Sequence, residues 1–278
     1  MTQVLRFGRV CFALGTIGLG LTHFVFQQFT TGRAPAWPES LPGGVVWAYV
    51  SGAVVIAVGV ALAARWYPRR AALTAATIIG GWALLRHIPL LLAAGFLTPP
   101  WTAAGKALTL VGGMLAVAAT SPAEQLVRST RLSAFVNNRD EFVAAARVCL
   151  GAFLLITGAQ HFIYTSFVAS LIPPWFPGNA EFWTYFAGVA LLAGGVGLLI
   201  PQTVRLAALL AGLMVFSWFW IVHIPRTLSS VSDGIAVFEA LAVAGIAFVI
   251  AGSSRHVTAT SGSRAASVTR ESDRYTQA

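Results

Sequence analysis

Charge is what this 278-residue chain has least of: only 10% of its residues are Asp, Glu, Lys or Arg. A soluble domain carries about 25%. So little charge cannot coat a water-soluble globule of this size, which excludes a soluble enzyme, a nucleic-acid-binding domain and a disordered chain. Acidic residues are scarcer still, 9 against 18 basic ones, so the net charge is +9. In a soluble protein that excess would point to nucleic acid; in a membrane protein it is an orientation signal, and its distribution counts for more than its sum. Cysteine is nearly absent. Cys11 and Cys149, far apart, exclude a disulfide framework and a Cys-rich metal site, and there is no CxxC relay or CxxCH haem attachment. No Walker loop, HExxH or Ser/His/Asp arrangement is present. Neither a metal site nor a catalytic set is assigned.

What fills the chain is apolar: 57% hydrophobic residues and a mean hydropathy of +0.76. A bilayer core about 30 Å thick needs about 20 apolar residues of helix. Eight stretches meet or approach this: residues 5–27, 45–64, 71–93, 103–119, 143–164, 181–200, 203–223 and 234–252. They do not alternate in polarity as barrel strands do, so each is expected to be a helix that satisfies its own backbone. The fold class is therefore all-α, a polytopic membrane protein of eight transmembrane helices.

With the N-terminus placed inside, only Arg33, Arg86, Lys106 and Arg226 fall outside, and the other fourteen of the eighteen basic residues fall inside. That is a positive-inside bias. It predicts an inner (plasma) membrane protein with both termini cytoplasmic, whose basic residues face lipid headgroups and need no nucleic acid. Residues 253–278, rich in Ser, Thr, Ala and Arg, read as a disordered basic tail. Residues 120–142 read as a polar cytoplasmic linker, with Leu126, Leu132 and Phe135 on one side of a short interfacial helix.

The chain repeats itself. Arg9-Val10-Cys11 matches Arg147-Val148-Cys149, and Gly20-Leu21-Thr22-His23-Phe24 matches Gly158-Ala159-Gln160-His161-Phe162. Pro35 and Trp37 match Pro173 and Trp175. Trp47, Tyr49, Gly52 and Gly59 match Trp183, Tyr185, Gly188 and Gly195; Trp82 and His87-Ile88-Pro89 match Trp218 and His223-Ile224-Pro225. The internal copy also argues that the first segment is a span and not a cleaved signal peptide. Residues 1–119 and 143–252 are thus expected to be two four-helix-bundle repeats. Four helices return the chain to its starting side, so the repeats are parallel, unlike the inverted repeats of many transporters.

A GxxHF-type end to the first helix, a Pro/Trp-containing loop and an HIP-type end to the third resemble the DoxX/DoxD-like family of small bacterial membrane proteins. The resemblance covers about 110 residues in each half and makes this chain a tandem version. It implies a bacterial membrane location and an association with quinone-linked redox chemistry and a redox partner protein. It assigns no reaction.

The repeated polar and aromatic residues gather at the outer face, which makes His23, His87, His161, His223, Trp37, Trp82, Trp175 and Trp218 the ligand-binding candidates. Two readings compete for the histidines. In one, each imidazole caps the last carbonyls of its own helix. In the other, they line a polar pocket that bonds a ligand such as a quinone headgroup. The tryptophans also suit an interfacial belt. Arg86 and Arg226 flank the HIP motifs and suit either an anionic substrate or lipid phosphate. The Gly positions read as helix-packing seams. Glu239 in the eighth span and Lys106 near the start of the fourth are the buried charges, placed to form a salt bridge between the halves. The halves differ, with Arg86 opposite Val222 and Thr22 opposite Gln160, so one of them could have become structural. Three functions fit: a quinone-associated redox membrane protein, a binding or transport protein for a small anion or lipophilic solute, and a non-catalytic membrane subunit.

Overall fold

The computed structural model describes residues 2–122 and 138–254 and shows an all-α protein with eight helices long and apolar enough to cross a membrane. They are α1 (Gln3–Phe26), α2 (Gly44–Ala63), α3 (Pro68–Ala93), α4 (Pro99–Thr120), α5 (Arg139–Ile163), α6 (Ala180–Leu199), α7 (Val204–Ser229) and α8 (Gly234–Ser253). The chain is a polytopic membrane protein. Ser253 of the expected tail still belongs to α8, and residues 255–278 of that tail, like the interfacial helix with Leu126, Leu132 and Phe135, lie outside the described residues.

Helix starts follow local chemistry. The Thr2 hydroxyl accepts from the Leu5 N–H (3.2 Å), and the Asn179 side chain accepts from the Glu181 N–H (2.7 Å). Asn138 caps α5 in the same way, with Asp140 and Glu141 in the first turn, so the end of the polar linker is already helix. Pro68 and Pro99 open α3 and α4, each a few residues before the apolar run begins, because a first-turn residue needs no N–H partner. The HIP motifs do not end their helices. α3 runs through Pro89 to Ala93, and α7 passes Pro225 by way of a π-helical turn at Phe219–His223. Such a turn accommodates a helix disturbed by proline.

The two halves interlock. α1 packs on α2, and its most extensive contact is with α8, while it reaches α4 through long side chains such as Phe12, whose ring lies against Gly113. In the same way α5 packs on α6 and on α4, and α4 meets α8 at the centre. The α1–α8 seam is glycine-built: a Cβ on Gly15 would lie 2.6 Å from the Ala242 nitrogen, and one on Gly252 would lie 2.6 Å from the Leu5 nitrogen. The α1–α2 and α5–α6 seams match each other. Gly52 lies against the His23 Cβ and Gly20, and Gly188 against the His161 Cβ and Phe162. These glycines are packing residues. α8 is the most buried span and α3 the least.

One face collects guanidinium groups, and they do more than meet headgroups. Arg9 bonds the Val117 carbonyl (3.2 Å) and the Ser121 hydroxyl, Arg69 the Ala118 carbonyl (2.9 Å), and Arg139 the Ala119 carbonyl (2.6 Å). Arginines from α1, α3 and α5 thus cap the C-terminus of α4, and Arg147 caps α6 at Leu198 (3.0 Å). Arg69 is only 1% exposed, which corrects the expectation that these residues are all headgroup-facing.

Candidate functional site

The opposite face carries the α1–α2 loop. α1 ends at Gln27 in the left-handed region, and the chain folds back into a 3-10 turn at Thr31–Arg33. Gly32, at φ 65°, lets this turn press on α4: a Cβ there would lie 2.8 Å from that of Ala107. His23 holds the turn. Its Nδ1 lies 3.1 Å from the Ala48 carbonyl, and its Nε2 lies 2.8 Å from the Thr31 hydroxyl and 3.2 Å from the Thr31 N–H. A neutral ring with the proton on Nδ1 satisfies this network, donating to Ala48 and accepting from the Thr31 N–H. His23 therefore caps no carbonyl of its own helix. It ties α1 to α2 and to the loop.

Beyond the turn, Phe29, Trp37 and Trp82 form a cluster of three rings, with Phe29 against Trp37 (5.4 Å) and Trp82 (5.2 Å) and the two indoles 6.2 Å apart. The Arg86 guanidinium lies 5.7 Å from the Trp82 ring and bonds the carbonyls of Pro35 (3.2 Å) and Ala36. Arg86 is thus a loop clamp. Trp37 Nε1 donates to the Leu41 carbonyl (2.9 Å).

Beneath this loop lies a cavity of about 460 Å³. Its roof is Phe29, Thr31, Ala34 and Trp37; its inner wall includes Thr16 and His23 of α1, Val55 and Val58 of α2, Ala75 of α3 and Met114 of α4. Val50, Ser51 and Val54 of α2 and Ile78, Ile79 and Trp82 of α3 complete it. From Trp47 to Val58 along α2 it spans about 16 Å. No Lys or Arg lines it. Trp82 Nε1 is buried and has no hydrogen-bond partner.

The second half places the same residues differently. His161 Nδ1 bonds the Thr157 carbonyl of its own helix (2.7 Å), the cap that one reading expected, and its ring stacks on Trp218 (6.3 Å, 24°). Thr31, the loop partner of His23, corresponds to Ala169 here, and Thr16 corresponds to Leu154, which is 1% exposed. The indole that faces the loop in the first half thus lies over the histidine in the second. Trp175 is exposed at the surface and pairs edge-on with Phe176. Arg226, like Arg86, serves its own half: it pairs with Asp233 (3.1 Å) and reaches the Ser170 carbonyl (3.5 Å).

His87 and His223 stand apart from the cavity. His87 is buried at 3% exposure with Nδ1 unpartnered. His223 lies in the π turn of α7, within the field of Lys106, Glu239, Arg226 and Asp233. Glu239 and Lys106 do meet across the halves (2.7 Å). A third member joins them: Arg33 grips Glu239 through Nε–Oε1 (2.9 Å) and Nη2–Oε2 (3.2 Å). Arg33 sits at φ 51° on the turn that roofs the cavity, so one carboxylate of α8 anchors that roof. Sequence reasoning passed over Arg33, Phe29, Thr31 and Ser51. Comparing the halves offered a signal for Thr31 and Ser51, whose counterparts are Ala169 and Ala187.

A family model described as a domain of unknown function, DUF8561, matches residues 150–250, most of α5 through α8. No curated protein and no solved structure matches the chain.

Proposed function

We propose that this membrane protein is a tandem DoxX-like protein that holds a quinone-class molecule in the cavity of its first half, residues 1–119, while the second, residues 143–252, is its scaffold. The arginine-capped face is then cytoplasmic, with both termini, and the cavity lies toward the outer face of a bacterial inner membrane. The observation that carries the reading is Trp82 Nε1, a buried donor without an acceptor beside an apolar cavity. A buried unpaired donor costs about 1–3 kcal/mol, and a quinone carbonyl would relieve it. Flat aromatic rings at the roof suit a planar headgroup. When bound, a quinone supplies two-electron redox capacity; the chain's own contribution is to orient it and keep water out, with electrons exchanged by a separate partner protein.

The alternative of a small-anion site is weaker, because Arg86 and Arg226 are engaged on their loops and no cation lines the cavity. A non-catalytic subunit remains the second reading, favoured by the saturated state of His23 and the capping role of His161. The test is mass spectrometry of small molecules that copurify with the detergent-solubilised protein, with titration by a short-chain quinone. A copurifying quinone and saturable binding are expected. An empty extract and no binding would refute the quinone reading and leave the subunit reading standing.

A further inference from the structure

We infer that the first-half cavity is filled sideways from the bilayer, through the seam between α2 and α3, by a neutral amphiphile whose headgroup accepts a hydrogen bond from Trp82 Nε1. The inference rests on the cavity being a binding site, as proposed above, but not on the ligand being a quinone.

The roof and the seam differ in how they are held. Four ties fix the roof: Thr31 to His23, Arg33 to Glu239, Arg86 to the Pro35 and Ala36 carbonyls, and Trp37 to the Leu41 carbonyl. Between α2 and α3, among the described residues, the structure shows no hydrogen bond or ion pair of this kind along the cavity. α2 and α3 touch each other less than their counterparts α6 and α7 do, and α3 is the least buried span. The cavity residues that edge the seam face outward, Val50 at 47%, Val54 at 40% and Ile78 at 52% exposure. Those behind them, Val55, Ala75 and Met114, are buried. At this depth the exposed side of a spanning helix meets lipid and not water. Entry through the roof would break charged and hydrogen-bonded contacts, whereas entry through the seam exchanges one apolar contact for another.

The walls also set the ligand's chemistry. An anionic headgroup would find no cation on the cavity wall, and burying it unpaired is costly. A neutral carbonyl satisfies the one orphan donor, and an apolar tail fits along the valines of α2. A quinone and the ester end of a lipid share that chemistry.

The test places the full chain in nanodiscs containing a phosphatidylcholine with a mid-chain diazirine, followed by photolysis and peptide mass mapping. Adducts are expected on Val55, Ala75 or Met114, which the bilayer reaches only through the cavity, and not on their counterparts Leu191, Ala211 and Ile250. Val54→Trp and, from the other side of the seam, Ile78→Trp should each reduce those adducts at least tenfold. No adduct on the inner wall, or adducts that persist in both variants, would overturn lateral entry. Trp82→Phe should weaken retention of the occupant by about fivefold, the worth of one neutral hydrogen bond; unchanged retention would overturn the role of Trp82. A decyl-substituted benzoquinone should displace the lipid adducts. Should it fail while the adducts remain, the quinone reading falls and lateral entry stands.

Discussion

Replacing Glu239 by Gln keeps the shape of the buried side chain and removes its charge. In the wild type its carboxylate, 8% exposed, accepts two bonds from Arg33 and one from Lys106. The substitution leaves two cations facing each other with only an amide between them. Removing one partner of a buried ion pair costs about 3–5 kcal/mol. Here the side chains of Arg33 and Lys106 are 37% and 23% exposed, so water screens part of the repulsion and the lower end, about 3 kcal/mol, applies. At roughly 2–4 °C per kcal/mol for a chain of this size, the melting temperature should fall by about 6–12 °C. Cys11 and Cys149 are free and buried, so a maleimide fluorophore added in detergent reports unfolding directly. A Lys106→Met/Glu239→Gln double variant should recover about half of the loss, because Arg33 is the more exposed cation and can turn to water. A Glu239→Gln melt within 2 °C of wild type, or a double variant below the single one, would show that the charges are not what holds this junction.

Gly15→Val should cost about 3 kcal/mol by overpacking the α1–α8 seam, whereas Gly81→Ala, with nothing within 4 Å of its Cβ, should gain about 0.5–1 kcal/mol of helix stability; the same melt distinguishes them. His23→Ala strips the Thr31 N–H of its acceptor and should cost about 2 kcal/mol, while His161→Ala, which loses one bond to its own helix, should cost under about 1 kcal/mol. Equal losses would mean that the two sites are built alike. Arg86→Ala should free the loop at Pro35 and Ala36 and make it several-fold more sensitive to limited proteolysis, with little change in melting temperature.

The spans were readable because a bilayer demands length and apolarity, and both are written in the chain. The Lys106–Glu239 bridge was readable because the two buried charges sit on helices equivalent by repeat and about one turn apart in depth. Its third member was not: Arg33 lies on a loop, and only the fold-back of that loop brings it to α8. Which helices pair was also hidden. The repeat suggests two bundles each closed on itself, and periodicity cannot say that α1 prefers α8 to α4; that choice depends on Gly8, Gly15, Gly245 and Gly252 meeting across the halves. The histidines looked alike as motifs. Their environments differ because Thr31 and Thr16 have become Ala169 and Leu154 on the other side of the repeat.

The pairing of α1 with α8 has a consequence for how the protein is made. α1 enters the membrane long before α8, its main partner, exists. At about 5–20 residues per second, the stretch from Phe26 to Gly234 takes on the order of ten to forty seconds to synthesise. During that time the glycine face of α1 is in contact with lipid or with a temporary companion. The other seven helices can assemble only around a vacant place, and α8, made after them, completes the centre of the molecule.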